Sequence, residues 1–199
     1  MVSKVNTRSL TGCPPTPNLA ASRTVHPVDS MKIHSLLAAA ALLAFAASTA
    51  FAAKLGDPAA PLNIAGWVKG KPVNVKDGKN IYVVEFWATW CGPCKVSIPH
   101  LTAMQAKFKD KGVVFVGISD EPLSTVRPFV LKMAEKMDYT VACDYAGKTS
   151  AGYMTAYGQG GIPTAFVIGK NGKVLWVGHP MGGLEQVIEQ TLAAKPATP

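Results

Sequence analysis

Glu85-Phe86-Trp87-Ala88-Thr89-Trp90-Cys91-Gly92-Pro93-Cys94-Lys95 places two cysteines three positions apart, directly after an apolar β-type run and directly before a helical pattern. A thiol at a helix start lies close to backbone N–H groups that have no intrahelical acceptor. It also meets the positive end of the helix dipole, and both favour thiolate. The second cysteine, one turn on, can close a disulfide with the first. Such a pair taken alone admits metal, structural-disulfide or redox chemistry. Its placement between strand and helix makes a reactive dithiol the leading expectation.

Upstream of the pair, residues 81–87 are almost continuously apolar, as in a strand buried on both faces. Downstream, Val96, Ile98, Leu101, Met104 and Phe108 recur at helical spacing over residues 93–109, with Pro99 expected to kink the helix. Residues 113–118 read as a second buried strand, 124–137 as a helix, 139–143 as a short strand and 147–157 as a helix. Residues 164–168 and 174–177 flank Lys170-Asn171-Gly172-Lys173, whose Asn-Gly suits a type I′ hairpin turn. Residues 183–194 close the chain as a helix. Nearer the N-terminus, residues 62–68 and 72–75 are expected to pair as a hairpin around Lys69-Gly70-Lys71. This alternation implies an α/β fold with one central sheet.

The first fifty residues have another character. Met31-Lys32-Ile33-His34 opens a short basic region, residues 35–47 are Ala/Leu-rich and apolar, and Ser48-Thr49-Ala50-Phe51-Ala52 supplies small residues. That is the order of a secretory signal, with cleavage expected after Ala52. The apolar run is short of the ~20 residues of a spanning helix, so a retained N-terminal anchor is the weaker alternative. Residues 1–30 show no apolar period and are expected to lie, unstructured, upstream of a true start at Met31. The domain is then residues 53–199.

The full chain of 199 residues carries a net charge of +8. Residues 53–199 keep 16 basic and 11 acidic side chains, a net +5 with no basic run. That describes a solvated surface, and no nucleic-acid partner is expected. Cys91, Cys94 and Cys143 remain in the exported chain. An odd count with one close pair does not suit a disulfide scaffold, although export leads to an oxidising compartment. A structural zinc site needs four ligands, and no second Cys-x-x-Cys or His pair follows the first, so no metal is expected.

Taken together, Glu85 to Lys95, Pro99, and Gly161-Ile162-Pro163-Thr164 followed by a hairpin resemble the thioredoxin superfamily. The extra helix and strand between Ile118 and Gly158, the N-terminal hairpin and the signal segment narrow the likeness to exported TlpA/ResA-type redoxins, over residues 55–194. The resemblance implies a thioredoxin-like three-layer sandwich with an N-terminal β-hairpin and an inserted helix and strand. It also implies a thiol-disulfide oxidoreductase that reduces protein disulfides in the periplasm without a bound cofactor. Similar proteins receive electrons from a membrane thiol-disulfide transporter, and some serve cytochrome c maturation. The expected partners here are disulfide-bearing proteins and such a membrane donor, with the chain a monomer.

Individual residues then take expected roles. Cys91 is the exposed nucleophile and Cys94 the buried thiol that resolves the mixed disulfide. Gly92 and Pro93 form the tight turn that starts the helix, and in the superfamily a Gly-Pro pair goes with reductive poise. Trp90 covers the site. Glu85 lies six positions before Cys91, where similar proteins carry a buried acid beneath the second cysteine. A buried carboxylate there costs free energy without a role or partner, and burial raises its pKa towards that of a general base. Pro163 matches the superfamily's cis-proline, which leaves the Ile162 backbone free to pair with an extended client segment. Cys143 reads as a buried thiol, with a third redox cysteine as the alternative. Met104, Met133, Met137 and Met154 read as core filling. Two other functions stay open. A thiol peroxidase is disfavoured because Thr89 is two, not three, positions before Cys91, and a non-catalytic binding module because the cysteine pair is intact.

Overall fold

Every residue of the strand Ile81–Phe86 is buried, Glu85 included, as a nearly continuous apolar run requires of a strand covered on both faces. In the computed structural model, which describes residues 52–194, this strand lies inside a six-stranded mixed sheet. In chain order the elements are β1 (Ile64–Lys69), β2 (Ile81–Phe86), α1 (Gly92–Phe108), β3 (Val113–Ser119), α2 (Leu123–Met133) and β4 (Thr140–Asp144). A short helix Lys148–Ser150 then widens into a π-helical stretch Ala151–Thr155, together α3. Last come β5 (Thr164–Ile168), β6 (Val174–Gly178) and α4 (Leu184–Ala193). The sheet order is β1-β4-β3-β2-β5-β6. β2 runs parallel to β3 and antiparallel to β5, and β3 runs parallel to β4.

Alternate residues of β2 feed two cores. Ile81, Val83 and Trp87 pack with Ile98, Leu101 and Phe108 of α1, Val126 and Val130 of α2, and Leu184 and Ile188 of α4. Tyr82, Val84 and Phe86 pack on the opposite face with Tyr153 of α3, Phe166, and Ala59 and Val75 from the extended N-terminal segment. The three layers are therefore three helices, the sheet, and α3 with the N-terminal segment. The inserted helix and strand are α2 and β4. The Asp144 carboxylate at the end of β4 accepts from the N–H groups of Thr149 and Ser150, each at 2.8 Å, and so ties the start of α3 to the sheet.

Three expectations need correcting. The N-terminal hairpin does not form: β1 pairs antiparallel with β4, and residues 72–75 form no strand. β4 offers β1 an open ladder, whereas Pro72 has no N–H to give a hairpin partner. Gly70, at φ +78°, sits so close to Thr140 that a Cβ would approach its Oγ1 to 2.5 Å. The turn after β5 is not type I′, since only Gly172 has positive φ (71°) and Asn171 does not. The Gly172 N–H donates to the Gly169 carbonyl at 2.9 Å, next to a register shift in the β5–β6 pairing. This matches a longer hairpin loop with glycine in the left-handed position. The predicted 124–137 helix divides, as α2 ends at Met133 and a 3-10 turn spans Ala134–Met137. The expected upstream segment, residues 1–30, and the expected signal segment up to Phe51 lie outside the described residues. Among those described, no helix is long and apolar enough to cross a membrane.

Gly117 on β3 stands opposite Glu85 on β2. A Cβ there would come within 3.0 Å of both Trp87 Nε1 and Tyr139 Cε2. A small residue is therefore what lets Trp87 and Tyr139 close over the acid. Gly117→Ala should lower unfolding free energy in urea titrations by about 1–3 kcal/mol, the usual scale of overpacking.

Candidate active site

The β2–α1 junction builds the site. Gly92 and Pro93 occupy the first two positions of α1, where a proline costs no internal hydrogen bond. Cys91 is the N-cap, and its Sγ lies 3.1 Å from the Cys94 N–H. No acidic residue sits in the first turn, so the positive end of the helix faces the Cys91 sulfur without a compensating carboxylate. Cys91 and Cys94 are joined as a disulfide. Cys94 is fully buried as expected, but Cys91 is only 3% exposed, which corrects its expected exposure. Across from it, the Ile162–Pro163 peptide is cis, and the Ile162 carbonyl O stands 3.8 Å from Cys91 Sγ. Gly92 and Pro93 themselves are exposed, so the turn between the cysteines is the part of the pair that faces solvent.

Trp90 does not close over the pair. It is 71% exposed and borders a groove of about 410 Å³ shared with Phe86, Ile118, Met154, Gly160 and Ile162. Thr89 points the other way. Its N–H and its hydroxyl both donate to the Glu121 carboxylate, at 2.6 and 2.7 Å, and Ser119 Oγ lies 3.2 Å from the same group. The segment before Cys91 is thus held from the end of β3.

Glu85 is 1% exposed. Tyr139 OH donates to its Oε2 at 3.0 Å, and Ser97 Oγ lies 3.3 Å from its Oε1. Ser97 Oγ also lies 3.0 Å from the Cys94 carbonyl. One hydroxyl proton cannot serve both acceptors. Protonated Glu85 removes the conflict: the carboxyl donates to Ser97, Ser97 donates to Cys94, and Tyr139 donates to the remaining oxygen. Burial pushes the Glu85 pKa up to about 8 against the opposing pull of Tyr139 and Ser97. The same burial, with the neighbouring acid, pushes the Tyr139 hydroxyl well above its ordinary range. Ser97 and Tyr139 were not singled out from the sequence. Ser97 had a faint signal, one turn beyond Cys94 on the inward face of α1. Tyr139 had none, since only the β3–β4 pairing brings it to Glu85.

Cys143 is free and buried on β4, and desolvation raises its thiol pKa, which keeps it protonated and weakly nucleophilic. Met104 and Met137 are core residues, whereas Met133 and Met154 are half-buried and line grooves. Among the described residues, no three His, Cys, Asp or Glu side chains gather as a metal site.

Residues 55–177 match the AhpC/TSA family over most of the described domain. The chain belongs to the AhpC/TSA family. This AhpC/TSA protein is 35% identical over 119 residues to the thiol-disulfide oxidoreductase ResA of Bacillus thuringiensis. That match covers 58% of this chain and 65% of ResA, so the chain spans just under two thirds of its relative's length. A solved structure from Chlorobium tepidum, named for the thiol:disulfide interchange protein DsbE, is 34% identical with a TM-score of 0.60, covering 70% of this chain and 98% of that one. A thiol:disulfide interchange protein of the thioredoxin family from Chlorobium tepidum is 28% identical with a TM-score of 0.54, covering 71% and 99%. With the sheet order and the cis-proline loop, these likenesses give the chain a thioredoxin-like fold.

The folded AhpC/TSA domain holds the Glu85 proton up to about pH 8, while the unfolded chain releases it near 4.5. Folding therefore takes up a proton between those values, and stability declines as pH rises through that window. Glu85→Gln keeps an acceptor for Tyr139 and has no charge to bury. In denaturant titrations it should gain on the order of 4 kcal/mol over the parent at about pH 8, and nothing at about pH 4.

Proposed function

We propose that this chain is a thiol-disulfide oxidoreductase that reduces disulfides of protein clients through Cys91 and Cys94. One observation carries the reading: a disulfide-linked pair at a helix N-cap, bonded through Ser97 to a buried carboxyl and facing a cis-proline loop. In the reduced state, helix-start N–H groups and the helix dipole favour the Cys91 thiolate. It attacks a client disulfide, forming one S–S bond to the client and releasing the client's other sulfur as thiolate. Cys94 then loses its proton to ionised Glu85 and attacks Cys91 Sγ. That step releases the second client thiolate and leaves the Cys91–Cys94 disulfide. Two electrons pass from the dithiol to the client. Ile162 and Pro163 present backbone to an extended client segment, with Trp90, Gly92 and Pro93 forming the surrounding surface.

The AhpC/TSA match raises the thiol peroxidase alternative. Thr89 gives it no support, because both of its donors are committed to Glu121 and not to the cysteine. The sequence supports export through residues 31–52 and a domain starting at residue 53. An exported dithiol that ends each cycle oxidised needs an electron donor. The reading therefore includes a membrane thiol-disulfide partner and a monomeric reductase, with no bound cofactor.

Cys94→Ser should accumulate a covalent mixed disulfide with insulin or a peptide disulfide, visible on non-reducing gels and dissolved by dithiothreitol. Cys91→Ser should abolish both the adduct and the reductase activity. Adducts on Cys143 in the Cys91→Ser variant would contradict the assignment.

A further inference from the structure

Thr89 and Trp90 separate two grooves. The one past Trp90 belongs to the cis-proline side described above. The other, of about 790 Å³, is lined by Thr89, Lys95, Phe129, Lys132, Met133 and Lys136, with Ala134 and Glu135 in its wall. The thiol-exchange steps use nothing in it. Its sides carry three ammonium groups and one carboxylate, and none of the three lysines is in an ion pair among the described residues. Phe129, packed on Trp87 at 5.3 Å between ring centroids, and half-buried Met133 supply an apolar floor.

The far wall is held rigidly. Ala134 has φ +49° and ψ −120°, a conformation that a residue with a side chain keeps only where its surroundings impose it. Lys69 spans this stretch: its Nζ lies 3.4 Å from the Ala134 carbonyl, 2.8 Å from that of Met137 and 2.9 Å from Asp138 Oδ1. From the other side, Thr102 Oγ1 donates to the Lys136 carbonyl and accepts from the Asp138 N–H, both at 2.9 Å. The wall's carbonyls are thus satisfied inside the protein, while its lysine side chains stay outward and free. The strained backbone therefore stands beside a concave surface with a net excess of positive charge, whose nearest member, Thr89, is one residue from Trp90.

We propose that this lysine-lined groove docks an acidic segment of the redox partner protein, one carrying Asp or Glu beside an apolar side chain, so that the partner's disulfide meets Cys91. The carboxylates pair with Lys95, Lys132 and Lys136, and the apolar side chain rests on Phe129 and Met133. The inference rests on the thiol-exchange reading. It adds to it the charge class of the partner and a second contact surface apart from the cis-proline edge.

Two synthetic peptides test it. Each carries one cysteine as a glutathione mixed disulfide, flanked by Asp-Glu-Phe in one and by Asn-Gln-Phe in the other. The reduced full-length protein should turn over the acidic peptide about five- to tenfold faster at low salt. The advantage should disappear in about 1 M salt, where the screening length is about 3 Å. The double variant Lys132→Glu, Lys136→Glu should also lose it while keeping the parent's rate on the amide peptide. In parallel, an acidic peptide with serine in place of cysteine should shift amide NMR signals of Lys95, Ala134 and Lys136 in the parent and not in the variant. Equal turnover of the two peptides, or an advantage that survives both salt and the lysine changes, overturns the groove. So do shifts absent from these residues. Failure to turn over either peptide, with lysine-dependent binding retained, counts instead against the thiol-exchange reading.

Discussion

Glu85 interrupts a strand whose other five residues are apolar, and a carboxyl in that position loses its hydration on every side. Much of the site follows from meeting that cost. The acid remains protonated through neutral pH, with Tyr139 donating to one oxygen and Ser97 meeting the other. Gly117 must lack a side chain so that Trp87 and Tyr139 can seal the position. Ser97 carries the network to the Cys94 carbonyl, and so to the turn that holds the disulfide. Ionising Glu85 forces Ser97 to choose between the acid and that carbonyl. The protonation of one buried group is thereby coupled to the geometry of the redox turn.

The loop that leads into this turn is pinned on a different principle. Glu121 is half-buried and accepts both donors of Thr89, which fixes the backbone one residue before Trp90. Trp90 is left standing in solvent between two grooves, one walled by the glycine-rich cis-proline loop and the other by lysines. A buried hydrogen-bond network lies behind the disulfide, and an exposed ridge divides the two grooves beside it.

How legible this was depended on where the information lies in the chain. The strands β2, β3 and β5 and the helices α1 and α4 announced themselves, because each carries its own apolar period and short breakers. The cysteine pair, Glu85 and Pro163 were also readable, from short-range spacing and from resemblance. What could not be read were relations set by pairing across the sheet. β1 chooses β4, far along the chain, over its neighbour in sequence. Tyr139 reaches Glu85 because β4 lies beside β3. The burial of Cys91 and the exposure of Trp90 depend on how the Gly158–Ile162 loop closes, and glycine-rich sequence does not specify that closure. The helix boundary at Met133 is hidden because Ala134 takes a positive-φ conformation that its identity does not advertise, with Lys69 bonded to the carbonyls of the turn from far away in the chain.

The most direct measurement follows the second chemical step alone. A mixed disulfide between Cys91 and a thionitrobenzoate group can be prepared on the protein, and its release by Cys94 timed by stopped flow across pH. The release rate should rise through an inflection near pH 8, the value to which burial moves Glu85. Glu85→Gln should lose that inflection and slow release about a hundredfold at neutral pH, and Tyr139→Phe should move it upward by removing a bond to the ionised form. An unchanged pH profile in Glu85→Gln would contradict the role given to the buried acid.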